Sequence, residues 1–275
     1  MIDNVALSEA LSRLDSLGGL DSPKKMIKDT VNIVRMMQLR AEAGLPTYAI
    51  PRGMLFLGNP GTGKSITARY MGEILHALGV LSKGHVVECD RSSLVAGYVG
   101  QTAAKTQAVI DSARGGILFV DEAYNLFRGN ACDFGREALD VITRNLSDPD
   151  EDLFIVLSGY EDMMMRFVRS NPSIDVKFRQ HVRFENLTAD EMIELFGRML
   201  EKYKCGITDD ALEAVKEHFR SACEGDGAIF GNARGVRNLL EQAVQACVMR
   251  VAATNKEPVD ASFVISVEDI PKLNK

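Results

Sequence analysis

The chain has 275 residues, 46% of them hydrophobic, enough for one large or two modest domains with cores of their own. Lys plus Arg number 32 against 38 for Asp plus Glu, and the resulting charge of −6 argues against a broad electrostatic footprint for DNA or RNA. No run approaches the roughly 20 apolar residues of a membrane span, and Met1-Ile2-Asp3-Asn4 lacks the basic and apolar regions of a signal peptide, so a cytosol-like compartment is expected.

Residues 1 to 44 are rich in helix formers, and Ala41-Glu42-Ala43-Gly44-Leu45-Pro46 ends a helix on glycine followed by proline. This predicts an N-terminal helical segment over 1–50. Short apolar runs then alternate with helical patterns: Met54–Leu57, His85–Cys89, Gly116–Val120 and Leu153–Leu157 are the predicted strands. Such alternation implies an α/β unit over 51–187 with a parallel sheet covered on both faces. After residue 187 the strands are expected to stop. Ala189–Tyr203, Asp209–Cys223 and Ala233–Ala253 carry helical periodicity, giving a helical unit over 188–275. Thr188 with Glu191 forms a capping box; Thr208 lacks the matching acid.

Residues 58 to 65 read Gly58-Asn59-Pro60-Gly61-Thr62-Gly63-Lys64-Ser65, a full phosphate-binding loop. An apolar strand enters it, and Ile66–Leu78 leaves as a helix, the context that chemistry requires. Glycines let backbone N–H groups converge on phosphate oxygens, Lys64 reaches the terminal phosphates and the Ser65 hydroxyl holds Mg²⁺. Downstream, Gly115-Gly116-Ile117-Leu118-Phe119-Val120 ends in Asp121-Glu122. A carboxylate there holds hydrated Mg²⁺, which assigns Asp121 to the metal, and Glu122 beside the γ-phosphate becomes the base for the attacking water. ATP and Mg²⁺ are the expected cofactors.

Elsewhere the chemistry-bearing residues are sparse. The cysteines at 89, 132, 205, 223 and 247 are scattered and indicate neither zinc nor a disulfide framework. His76, His85, His181 and His218 lack ligand spacing, and Met163-Met164-Met165 reads as core packing because successive helical residues face different ways.

The loop, the Asp-Glu pair and the trailing helical unit together resemble the AAA+ ATPases, closest to their CbbX, CfxQ and SpoVK-like branch. The resemblance spans nearly the whole chain: Leu17-Gly18-Gly19-Leu20, the phosphate loop, Leu81-Ser82-Lys83-Gly84-His85, Gly97-Tyr98-Val99-Gly100-Gln101-Thr102-Ala103, Asp121-Glu122-Ala123-Tyr124 and Gly231-Asn232-Ala233-Arg234. It implies an ATPase core with a helical lid and a homo- or heterohexameric ring. Such rings, the activase of red-type Rubisco among them, remodel proteins; the composition predicts neither a nucleic acid nor a membrane partner. Tyr98 and Val99 correspond to the pore loop that grips a polypeptide, an aromatic between glycine hinges; a buried tyrosine at a turn is the alternative. Arg234 resembles the lid's sensor arginine, and Arg237, one turn further on, is the alternative. Ser158 or Tyr160 stands where the polar sensor is expected. Leu20, Ile27 and the lid are placed near the adenine. The segment Asp133-Phe134-Gly135-Arg136-Glu137, after Arg128, Gly129 and Asn130, resembles a second inward-facing loop, though a helix start fits it as well.

One stretch departs from the family. The trans-acting arginines are expected in a sequence like Asn-Pro-Gly-Leu-Arg-Ser-Arg-Phe, and this chain has Asn171-Pro172-Ser173-Ile174-Asp175-Val176-Lys177-Phe178-Arg179. Asp175 brings the wrong sign, and Lys177 lacks the planar fork of donors. Arg179, two positions later, is the substitute if the loop is rearranged. The leading expectation is ATP-driven remodelling of a protein client; the alternative is an ATP-binding, weakly hydrolysing subunit of a heteromeric ring.

Overall fold

Gly53–Gly58 (β1) carries no polar side chain and is buried as far as Leu57, as a strand covered on both faces must be. In the computed structural model it lies in a parallel sheet with Val86–Cys89 (β2), Gly116–Val120 (β3), Leu153–Gly159 (β4) and Gln180–Phe184 (β5). The strand order is β2-β3-β4-β1-β5. The structure describes residues 2–48, 50–127, 134–147, 151–224, 230–253 and 263–271. It divides into two compact units, Met1–Gly58 with Gly63–Phe184, and Asn59–Thr62 with Glu185–Lys275.

In the first unit, alternate strand residues face opposite sides of the sheet. Met54, Phe56, Ile117, Phe119, Phe154 and Val156 enter one core layer with Leu7, Ile27, Val31, Met71 and Ile74. These come from helices Asn4–Asp15 (α1), Asp21–Glu42 (α2) and Lys64–Ala77 (α3). The N-terminal helical segment is therefore part of this unit's core. Leu55, Leu57, Leu118, Val120, Ile155 and Leu157 enter the other layer. Thr102–Ala113 (α5), Gly135–Asn145 (α6), Glu161–Ser170 (α7) and Pro172–Lys177 (α8) supply its cover, and a short helix, Arg91–Leu94 (α4), precedes α5. Phe56 is fully buried, with Phe184 at 4.9 Å and Phe119 at 6.4 Å between ring centroids. Phe56→Ala is expected to lower unfolding free energy by about 3–5 kcal/mol, read as a lower denaturant midpoint at unchanged slope.

The predicted strands all form, but β5 was not anticipated. Gln180-His181-Val182-Arg183-Phe184 alternates polar and apolar residues over only five positions. Its partner is β1, in parallel register from Met54↔Gln180 to Gly58↔Phe184.

In the second unit, helices Ala189–Tyr203 (α9), Asp209–Glu224 (α10) and Asn232–Ala253 (α11) share a core around Met192, Phe196, Val215, Phe219, Val236 and Leu240. The Thr188–Glu191 capping box is present. The expectation that strands stop after residue 187 is corrected: Gly206–Ile207 (β6) and Val264–Ile265 (β7) pair in parallel. Two-residue strands carry no periodicity to read. Arg250 fixes the pair from α11, donating to the Val264 carbonyl at 2.8 Å and meeting buried Asp269 at 2.7 Å. Among the described residues no helix is long and apolar enough to cross a membrane, and no cluster of His, Cys, Asp and Glu could hold a metal. His76 and His85 bond backbone carbonyls of Leu81 and Ser112. Met164 is core, Met165 packs beside it, and Met163 is exposed, so only part of the methionine run is packing.

Candidate functional site

The chain order brings three strand ends together. From β1 it crosses to the outer β2, returns through β3 and β4, then passes over β1 to β5, so the carboxyl ends of β3, β4 and β1 are neighbours. Crevices at such ends, where the winding reverses, are where parallel α/β sheets bind ligands.

Gly58 ends β1, and Gly63 caps the N-terminus of α3 at φ 99°, a left-handed conformation that few side chains tolerate. A Cβ on Gly63 would also crowd Leu20. Ile27, the other residue placed near the adenine, is buried in the core instead of facing a cleft. Lys64 is the first residue of α3, and its Nζ donates to the Gly58 carbonyl at 2.8 Å, curling the side chain back over the loop. Ser65 and Ile66 complete the first turn, whose N–H groups have no intrahelical acceptor and suit an anion. Asn59, Pro60, Gly61 and Thr62 group with the second unit. There Thr62 is buried and donates its hydroxyl to the Asn59 carbonyl at 2.8 Å, closing the loop on itself.

At the end of β3, Asp121 Oδ1 accepts from the N–H of Glu122 at 3.0 Å and from the Ser158 hydroxyl at 3.0 Å. Among the described residues nothing donates to Oδ2. A carboxylate oriented through one oxygen, with the other turned outward, fits a hydrated divalent cation. Ser158 is fully buried on β4, one residue beyond the Val120↔Leu157 pair. Tyr160, the other sensor candidate, stacks near Tyr124 at 6.2 Å and makes no bond to Asp121. Geometry therefore brings Ser158, not Tyr160, to the carboxylate.

Glu122 has φ 47°, uncommon for a non-glycine residue and a feature that concentrates at functional sites. Its Oε2 accepts from Asn125 Nδ2 at 3.0 Å within the 3₁₀ turn Ala123–Leu126. Asn125 was missed from sequence. Its signal was a polar residue three positions after the expected base, but such spacing marks many ordinary turns. Burial, then the charge of Glu122, pushes the Tyr124 hydroxyl up to about 12, so it stays protonated at neutral pH. Arg91 on α4 donates Nη1 to the carbonyls of Asn125 and Leu126 at 2.8 and 3.1 Å. A cavity of about 650 Å³ opens here, lined by Asp90, Arg91, Gly97, Asp121, Glu122 and Asn125.

The loop after α4 presents Tyr98 76% exposed and Val99 83% exposed. A buried turn tyrosine is thereby excluded. Asp175 and Arg179 are exposed and Lys177 half-buried, on or just after α8. Arg179 donates Nε to the Val176 carbonyl at 3.2 Å. No hydrogen bond or ion pair between described residues joins the three to Lys64, Asp121 or Glu122. In the second unit, Arg234 and Arg237 are exposed on α11, with no side-chain partner among the described residues. Arg128, Gly129, Asn130 and Asp133 of the proposed second inward loop lie outside the described residues; Gly135 already begins α6.

A glycine-rich loop passing from a buried parallel strand to a helix N-terminus, with a strand one place removed in the sheet that ends in two acids, is the nucleotide site of the P-loop ATPases. Residues 54–184 match the "ATPase family associated with various cellular activities (AAA)" and residues 188–275 the "AAA lid domain", so the chain belongs to the AAA family. Its curated relatives carry the names expected from the motifs. It is 35% identical to Stage V sporulation protein K of Bacillus subtilis over 246 residues, covering 89% of this chain and 76% of that protein. Protein CbbX of Cereibacter sphaeroides is 36% identical over 266 residues, 95% of this chain and 85% of that one. The chloroplastic ribulose bisphosphate carboxylase/oxygenase activase of Cyanidioschyzon merolae is 35% identical over 270 residues, 97% and 92%. The fold matches the FIGL-1 AAA domain in complex with ADP at a TM-score of 0.65 and 20% identity, over 92% of this chain and 80% of that one.

Proposed function

We propose that this protein is a ring-forming ATPase that spends ATP to remodel a protein partner gripped at Tyr98 and Val99. The loop Gly58–Ser65 with Ile66 holds the phosphates; Lys64 neutralises the terminal ones, and Ser65 and Asp121 would hold Mg²⁺. Glu122 activates the attacking water, Ser158 acts as the polar sensor through Asp121, and Arg234 is the sensor arginine of the lid, with Arg237 as its alternative. Supplied at that place, Mg²⁺ offsets the charge that develops during phosphoryl transfer.

The observation that carries this reading is the path from chemistry to grip. The exposed Tyr98-Val99 loop follows α4, and Arg91 of α4 holds the turn whose Asn125 holds Glu122. A nucleotide-dependent shift of that turn would be felt at the loop. The client belongs to the class of proteins with an accessible unstructured segment, because an exposed aromatic can grip varied backbone; the activase among the relatives makes a ribulose bisphosphate carboxylase/oxygenase one candidate. A second reading, an ATP-binding subunit that turns over slowly unless its neighbour is a different chain, is favoured by Asp175 and Lys177.

Light scattering with and without ATP, together with steady-state ATPase assays, tests the proposal. Tyr98→Ala is expected to keep ATP affinity within about twofold and to remove stimulation of turnover by permanently unfolded casein. Stimulation equal to that of the wild type would overturn the gripping role, and a monomer at all ATP concentrations would overturn the ring.

A further inference from the structure

Within the second unit three asparagines meet. Asn232, at the start of α11, is fully buried and has φ 53°, left-handed for a residue with a side chain. Its Oδ1 accepts from the N–H of Leu187 at 2.8 Å, and its Nδ2 donates to the Pro60 carbonyl at 3.2 Å and to Asn186 Oδ1 at 3.1 Å. The same Asn186 oxygen accepts from Asn59 Nδ2 at 2.9 Å. Asn232 thus joins the phosphate loop, the segment entering α9 and the start of α11.

The backbone reinforces this junction. The N–H of Ala233 donates to the Gly61 carbonyl at 3.1 Å. Gly61 has φ 74°, and a Cβ there would collide with the Gly231 carbonyl, so no side chain fits between loop and helix. A fully buried amide whose polar atoms are all bonded, held in an unfavourable backbone region, is not filler: backbone strain persists only where surroundings impose it, and unpaired buried amides are expensive. Two residues further on stands Arg234, exposed and without a side-chain partner among the described residues.

We propose that Asn232 is a positioning residue that clasps the phosphate loop at Pro60 and so fixes the distance from that loop to Arg234. This inference rests on the proposed role of Arg234 and extends it: the arginine is registered to the phosphates through the loop itself. Asparagine suits the post because it enters the left-handed region more readily than other side chains, and its amide both donates and accepts. Aspartate would accept from Leu187 but has no donor for the Pro60 carbonyl.

The test is ATP affinity, measured by calorimetric titration with Mg²⁺ present, which needs no turnover. Asn232→Gly tolerates the positive φ and removes the side chain with its amide. It is expected to weaken ATP binding about tenfold, and Asn186→Ala about two- to threefold. In an Arg234→Ala background Asn232→Gly is expected to add nothing, because its effect runs through the arginine; a merely structural role would subtract equally in both backgrounds. Unchanged affinity in Asn232→Gly, or a full additional loss in the double variant, overturns the clasp. Should Asn232→Gly fail to fold, Asn186→Ala with and without Arg234→Ala decides in the same way. Lys64→Ala separates the two levels: if it binds ATP like the wild type, the nucleotide-site assignment fails; if it does not bind while Asn232→Gly binds normally, only the clasp fails.

Discussion

Glu122→Gln is expected to leave ATP affinity within about threefold and to lower turnover by roughly 10²–10⁴-fold, the range in which a positioned general base contributes. The replacement keeps the shape and the partner: Asn125 Nδ2 at 3.0 Å can donate to an amide oxygen as it does to Oε2. What disappears is the negative charge and the site for the proton leaving the attacking water. Since nothing in the loop or in the Asp121–Ser158 pair changes, the effect should fall on kcat and spare KM. ATP retained with turnover lost would also trap any nucleotide-dependent assembly for sizing. If the variant hydrolyses ATP at the wild-type rate, Glu122 is not the base. If it loses ATP affinity by more than about tenfold, its role is in binding.

The sequence exposed whatever was written in short range. β1, β3 and β4 each hold an apolar run of four residues or more, and the capping box at Thr188 and Glu191 lies within one helical turn. The phosphate loop and the Asp121-Glu122 pair were readable because their residue types follow from the chemistry of phosphate and Mg²⁺. Harder were features set by partners distant in the chain. β5 is too short and too alternating to declare itself, and is a strand because β1 lies beside it. β6 and β7 are 57 and more residues apart and pair only after α10 and α11 have packed. The choice of Ser158 over Tyr160 depends on a hydrogen bond across two strands. Asn232 was visible inside the Gly231–Arg234 motif, but its meaning comes from Leu187 and Pro60, which no local pattern links to it.

The stretch from Asn171 to Arg179 bears on whether the protein turns over by itself. Asp175 and Val176 are exposed on α8, and Ile174 and Phe178 anchor the segment in the core. With the anchors four residues apart, one helical turn, Asp175 can be replaced without disturbing packing, while Lys177 is half-buried beside Phe178. In a ring, a side chain from there would have to reach a neighbour's γ-phosphate. A lysine offers a point charge in place of a fork, and an aspartate repels the anion. An arginine supplied in trans contributes about 10³–10⁵ in rate, roughly 4–7 kcal/mol of barrier. On the second reading the wild type binds ATP normally and hydrolyses it slowly by itself. Asp175→Arg combined with Lys177→Arg is expected to raise turnover by at least about 10²-fold, with KM for ATP within about threefold. Arg179→Ala serves as the control, because Arg179 lies one residue past Phe178 with its Nε committed to the Val176 carbonyl. If Arg179→Ala alone abolishes activity, Arg179 already supplies the missing charge and the double substitution should gain little. Vigorous turnover by the purified wild type, lost in Glu122→Gln, would show that the trans site is complete as it stands.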